Sequence, residues 1–378
     1  MVERNVLNII FIYCTENYPN SFSANNTKIS FIAESLMRYC NQCTIVNNPK
    51  FNIGQEGNYV IHGFNVINIK SGWRNKYKKL HTILKESYDN DKKNFVIISC
   101  GSIVDHVNIF FLAKLYCYKI GYIYQEWHYG LESTLKGKIN AVLNDKILIR
   151  YYDFILPISE FLIDKIKKYE IPYFKLPIID RVPTRIINEN QKCYPYFVYC
   201  ASIIYKSVIE FVLKSFDYME DSQCKLVLVL SGSEEQLENF KLSLVKYRKF
   251  DKIEVYSKIP YEDLKKIYRN ACALLIPLIP GFIPDVARFS QKTAEYLSSG
   301  RPILTTPVGE MNYYFKDGET AYFADYDEIQ FSKRMKYICD HRDEADIVGK
   351  NGMKLAKSLF DVDEITDSLR DFLCSEIR

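Results

Sequence analysis

Short apolar runs recur along this chain, each closed by a polar loop and followed by a stretch with helical spacing. The first is VLNIIFIY at residues 6–13, then the polar loop CTENYPNSFSANN, then the amphipathic KISFIAESLMRYC. Further runs are CTIVNN, FNVINI, NFVIISCG, YIYQEWHYG and FILPIS before residue 160, and YFVYCAS, KLVLVLSGS, KIEVYS, ALLI and PILTT after residue 195. Continuous rather than alternating apolarity marks strands buried on both faces, and the helical stretches between them supply the covering layers. The order predicts an α/β chain with doubly wound parallel sheets. Gly121 reads as the stop of the helix VNIFFLAKLYCYKIG. Leu176 to Pro195 lacks periodicity and holds Pro177, Pro183 and Pro195, so it reads as a linker. The expected division is a first domain at 1–185, a second at 186–360, and a closing helix at 361–378.

Composition narrows the class. A length of 378 residues suits two domains, and 48% hydrophobic with 25% charged residues is ordinary for a soluble globular protein. The 30 Tyr and 23 Phe are many, and most belong in or beside the core. A net charge of +4 without a concentrated basic patch argues against a nucleic-acid partner. The 11 Cys are odd in number and scattered, with Cys14, Cys100, Cys200 and Cys272 in strand-like runs, which predicts free thiols in a reducing compartment. Cys40 and Cys43 form a lone C-x-x-C, read as structural thiols. D-x-D at Asp89/Asp91, Asp325/Asp327 and Asp361/Asp363 reads as solvated turns or caps, and no metal is expected. The N-terminal run is short, with Glu3 and Arg4 before it, and nothing is long enough to span a bilayer, so a cytosolic setting is expected. Residues 71–93 form a basic amphipathic helix, either a solvated face or a contact with anionic lipid headgroups at the membrane surface.

The candidate chemistry gathers at residues 277–310, PLIPGFIPDVARFSQKTAEYLSSGRPILTTPVGE. This reads as strand end, loop, helix, tight turn, strand and loop. Ser290 sits at the N-cap of the helix, and Gly300 sits where a left-handed C-cap residue belongs. A helix N-terminus with Arg288 and Lys292 nearby suits a diphosphate, and Glu295 could accept hydrogen bonds from sugar hydroxyls.

The pattern K-x-x-E-Y-L-x-x-G-[KR]-P-[IV]-[LV]-x-T, followed by G-E and later D-G, resembles the C-terminal domain of family-four glycosyltransferases of the GT-B fold. The matching positions are Arg288, Phe289, Lys292, Glu295, Gly300, Pro302, Gly309, Glu310, Asp317 and Gly318. The first Glu of the family's E-x7-E pair is replaced by Ala287, with Asp285 two residues earlier. The resemblance implies two Rossmann-like domains facing each other across a cleft, the closing helix packing back on the first, and transfer of a sugar with retention from a nucleotide-sugar, such as a UDP- or GDP-sugar, to a glycan or lipid-linked acceptor. No cofactor is implied; the nucleotide-sugar is a co-substrate. His128 would hydrogen-bond the donor sugar, and Glu126 would orient His128 or bind acceptor. Ser23, Asn25 and Asn26 would line the acceptor side, or else form a cap and a plain turn. Lys206 would neutralise the donor diphosphate, although Ser207 stands where the family has glycine. Ser202, Gly232, Ile259 and Ser290 would contact the donor.

Two other readings stay open. One is a non-catalytic homologue that binds nucleotide-sugar, and the other is a different GT-B enzyme such as a sugar epimerase. A glycosidase needs two carboxylates facing one bond, and no convincing pair is found.

Overall fold

The computed structural model describes residues 6–13, 24–47, 56–69, 72–99, 102–128, 134–184, 195–220 and 223–377. Contacts divide the chain into two units, residues 1–179 with 362–378, and residues 180–361.

The first unit runs β1 (Leu7–Tyr13), α1 (Ala24–Leu36), β2 (Cys40–Asn47), β3 (Gly57–Ile61), β4 (Phe64–Asn68), α2 (Trp73–Ser87), β5 (Lys93–Ile98), α3 (Ile103–Leu115), β6 (Lys119–Tyr124), α4 (Leu135–Val142), β7 (Phe154–Pro157) and α5 (Glu160–Ile166). Its sheet is ordered β3-β4-β2-β1-β5-β6-β7, parallel except for the β3–β4 hairpin. β1 is wholly buried, as its unbroken apolar run requires. Gly121 corrects the sequence reading. It lies inside β6, where a Cβ would stand 2.2 Å from the Phe154 ring, and α3 has already ended at Leu115. The glycine is there for close packing rather than to stop a helix.

The second unit runs β8 (Tyr196–Ser202), α6 (Lys206–Tyr218), β9 (Lys225–Ser231), α7 (Glu234–Ser243), β10 (Ile253–Tyr256), α8 (Tyr261–Arg269), β11 (Ala273–Ile276), α9 (Ile283–Ala287), α10 (Gln291–Ser298), β12 (Ile303–Thr305), α11 (Glu310–Tyr314), β13 (Tyr322–Phe323), α12 (Glu328–Asp340) and α13 (Arg342–Leu359). The sheet is parallel and ordered β10-β9-β8-β11-β12-β13. Chain order reverses between β8 and β11, so the crevice at their carboxyl ends is the switch point where α/β sheets bind ligands.

The last helix, α14 (Val362–Ser375), returns to the first unit. Leu369, Phe372 and Leu373 join the core with Ile29 and Ile32 of α1. Ser35 of α1 and Arg38 just beyond it reach Asp363 and Asp367 of α14, each at 2.8 Å.

The stretch read as a linker is partly core. Leu176 and Ile179 are buried in the first unit, and Asp180 and Val182 in the second. Asp180 pairs with Asp361 in an isolated bridge. Asp361 is itself buried, accepting from the Val182 amide and the Lys357 ammonium, so it is not the solvated turn residue expected. Residues 185–194 lie outside the described residues. α2 has the expected basic face, but Lys76 pairs with Asp105 and Lys79 with Glu56. Among the described residues no helix is long and apolar enough to cross a membrane.

The cysteines depart from expectation in one place. Cys40 and Cys43 are buried thiols whose pKa burial pushes up, Cys40 to about 12. Cys224 and Cys339 are instead paired across 115 residues. Cys14 and Cys100 fall outside the described residues.

Candidate active site

In the second unit β8 ends at Ser202, and a three-residue turn leads into α6, whose first residue is Lys206. Lys206 is exposed, and no hydrogen bond ties its ammonium among the described residues. Its place at a helix N-terminus beyond a strand's carboxyl end suits an anion. Gly232 follows β9; a Cβ there would stand 2.6 Å from Ile203 Cγ2, so its lack of a side chain serves packing of the β8 turn. Ile259, after β10, is partly buried and follows Lys258, which holds φ +54°.

The segment after β11 is not all loop. Residues 283–287 form the short α9, with Asp285 in its first turn. Asp285 Oδ2 accepts from the Ile279 amide at 2.8 Å, and burial raises its pKa. The carboxylate therefore shapes its own loop. Ala287 is buried. Phe289 is 4% exposed, stacked on Tyr314 and edge-on to Phe360, which corrects its reading as a donor contact: it is a core aromatic. Ser290 is the N-cap residue of α10, yet its side chain makes no capping hydrogen bond.

Lys292 reaches back to the sheet. Its ammonium donates to the Cys200 carbonyl of β8 at 2.8 Å, while Tyr296 Oη accepts from the Cys200 amide at 3.1 Å. These two α10 side chains pin the helix over the end of β8. Lys206 opens α6 beyond β8, and Arg288 directly follows α9.

Gly309 and Glu310 start α11. Gly309 has φ +54°, and a Cβ there would meet the Val286 carbonyl oxygen at 2.8 Å and that of Asp285 at 3.1 Å. Only glycine lets the loop after β12 approach the α9 loop so closely. Glu310 is buried in the first helical turn, where the helix dipole favours a carboxylate. Asp317 accepts from the Phe323 amide at 2.8 Å and pairs with Arg334, beside a cavity of about 450 Å³. Gly300 and Gly318 hold φ +73° and +70°, the conformation expected of Gly300 as a C-cap.

The Glu295 carboxyl is strongly displaced. Burial first, and then the neighbouring Asp180 carboxylate, push its pKa up to about 7. Asp180 is buried and shifted the same way, held by the Arg181 amide at 2.8 Å. The sequence reading missed Asp180, placed in the supposed linker, and also missed Thr305 and Thr306. Thr306 Oγ1 accepts from the Leu278 amide and donates to the Leu278 carbonyl, and Thr305 Oγ1 donates to Ile276, so these threonines lock the two loops together. The paired Thr before Pro307 was the available signal.

In the first unit, polar residues follow β6. The His128 imidazole lies 3.7 Å from the fully buried Asp145 carboxylate and 3.6 Å from that of Glu126. These anions, Asp145 first, push its pKa up to about 9, so it is a cation at neutral pH. The Asp145 carboxylate also accepts the His128 backbone amide at 2.8 Å, fixing both ends of the residue. His106 of α3 is buried, contacts the Tyr152 hydroxyl at 2.5 Å, and has its pKa driven down to about 4 by that burial. Ser23 and the side chain of Asn25 lie outside the described residues; Asn26 is buried.

Residues 183–355 match the family model described as glycosyl transferases group 1. No curated protein matches the chain. Among solved structures it is similar to sucrose-phosphate synthase from Thermosynechococcus elongatus, with a TM-score of 0.77 at 12% identity over 97% of this chain and 98% of that one. It is similar to HepE from Anabaena, solved in complex with UDP and glucose, with a TM-score of 0.72 at 9% identity over 97% and 99%. Similarity also extends to the lipopolysaccharide outer core galactosyltransferase WaaB, with a TM-score of 0.64 at 14% identity over 97% and 99%. Residues 183–355 are thus similar to glycosyl transferases group 1, and the chain as a whole has the GT-B fold.

Proposed function

We propose that this protein transfers a sugar, with retention, from a nucleotide-sugar to a hydroxyl of a glycan or lipid-linked acceptor. The observation that carries the reading is the switch point of the second unit. There Lys206 opens α6 directly beyond β8, Arg288 stands between α9 and α10, and α10 is pinned over β8 by Lys292 and Tyr296. Charge builds on the departing diphosphate during transfer, and two cations with helix N-termini stabilise it without rearrangement. Glu295 and Glu310 supply acceptors for donor hydroxyls. Within the first unit, His128 is a charged N–H donor held by Asp145 and Glu126, and its proposed role is to hydrogen-bond the sugar. Asp285 is engaged with the Ile279 amide and leaves no free carboxylate at the position of Ala287. The proposed route has the leaving phosphate take the acceptor proton, so that no protein base is needed. This route calls for no metal, and acceptor delivery at a membrane surface is part of the same proposal.

HepE is solved with UDP, so UDP and UDP-sugars are the first ligands to try here, with GDP and ADP beside them. The expected result is a higher Tm with one nucleotide, lost in Lys206→Ala, because a ligand bound only by the folded state stabilises it. Release of that nucleotide from its sugar in the presence of acceptor completes the case. Stabilisation with no turnover against any acceptor would favour the non-catalytic binder, and no stabilisation by any nucleotide would overturn both readings.

A further inference from the structure

The feet of two strands and the end of one helix in the second unit carry a group of sulfurs that donor chemistry does not use. Cys224 directly precedes β9, Cys272 directly precedes β11, and Cys339 lies in the last turn of α12. β8 stands between the two strands; its first residue, Tyr196, accepts the Cys272 amide at 2.7 Å. The three sulfurs lie within 4.8 Å of one another. This is the amino edge of the sheet, opposite the carboxyl ends where Lys206 and Arg288 stand.

We propose that, in the reduced protein, Cys224, Cys272 and Cys339 bind one thiophilic divalent cation of the Zn²⁺ class. A disulfide explains only two of the sulfurs. The Cα atoms of Cys224 and Cys339 are 7.5 Å apart, beyond the usual reach of a disulfide. A tetrahedral ion about 2.3 Å from each sulfur would set the sulfurs roughly 3.8 Å apart, which the cluster accommodates with small side-chain movements. Three thiolates on a divalent ion carry one net negative charge. Arg342 and Arg301 lie close enough to Cys272 to act on that charge. Cys272 and Cys339 are partly exposed, so the fourth position opens to solvent. The steps balance: a thiol reductant delivers two electrons and two protons to the Cys224–Cys339 pair, and ion binding then releases three protons from three thiols. The bound ion would clamp two strand starts to α12, acting as a structural centre apart from the donor site.

The test uses the full chain, reduced with a phosphine and freed of metal, then titrated with Cd²⁺ while the thiolate-to-metal ultraviolet band is followed. One ion per chain is expected, with the band lost in Cys272→Ser and in Cys339→Ser but kept in the double variant Cys40→Ser/Cys43→Ser. Should a variant fail to fold, the wild-type chain still decides: bound Zn²⁺ should protect Cys272 and Cys339 from alkylation, read by mass spectrometry. Absence of a saturable band, a band that survives both single variants, or equal alkylation with and without Zn²⁺ would overturn the proposal. So would a Cys224–Cys339 disulfide that persists under reductant with Cys272 alone free. None of these readouts depends on nucleotide binding, so the two proposals stand or fall separately.

Discussion

At the scale of single residues, the chemistry lies in where charge is disfavoured. Glu295 sits in a partly buried place beside Asp180, and both carboxyls resist ionisation there. A carboxyl whose folded pKa is raised contributes stability that is fully present below its unfolded value, near 4.5, and lost as pH rises through about 7. Glu295→Gln cannot ionise, so its stability relative to wild type should improve between pH 5 and 8, by up to roughly 3 kcal/mol. Urea melts of both proteins across that range measure the difference, and a difference that stays flat with pH would sink the assignment. His128 is shifted by attraction instead: two carboxylates hold it as a cation, and its contribution is lost only as pH rises through about 9. Sequence spacing showed that Glu295 and His128 occupy loop-facing ends of elements. It could not show Asp180 or Asp145, because their proximity is created by the fold: Asp180 stands 115 residues before Glu295 in a stretch with no periodicity.

At the scale of elements, the strand and helix order of the second unit was legible because buried parallel strands are continuous apolar runs and Gly300 ends α10 as its type predicts. The loops were less legible. α9 has only one turn and no periodicity to announce it, and Lys292 resembles a free cation until its carbonyl partner on β8 is seen. Gly309 shows what holds these loops. Gly309→Ala must place a Cβ at φ +54° and 2.8 Å from the Val286 carbonyl, whereas Gly318→Ala at φ +70° meets nothing within 4 Å. Both substitutions carry backbone strain of about 1–3 kcal/mol. Gly309→Ala should lose distinctly more in urea unfolding, and should also weaken nucleotide binding, since the α9 loop carries Arg288. Equal losses at the two glycines would mean that the approach of the loops is not tight in solution.

At the scale of the whole molecule, each unit has a core of its own, and the chain crosses from the second back to the first at residue 362. The last helix was legible in the sequence, but its return to the first domain came only from the family resemblance, since α1 lies more than 300 residues away and complementary surfaces leave no spacing signal. The division makes a thermodynamic prediction. Leu369 of α14 and Leu228 of β9 are both fully buried, in different cores. Truncating either to Ala should cost about 2–5 kcal/mol. If the cores melt as separate cooperative units, calorimetry of Leu369→Ala should show one transition lowered and the other in place, and Leu228→Ala should show the reverse. A stabilising nucleotide should raise only the transition that Leu228→Ala lowers, because Lys206, Arg288 and Glu295 all belong to that unit. Two substitutions that each shift the entire melting profile would show instead that the units unfold as one, and that α14, although packed only within the first core's cluster, couples the stability of the whole chain.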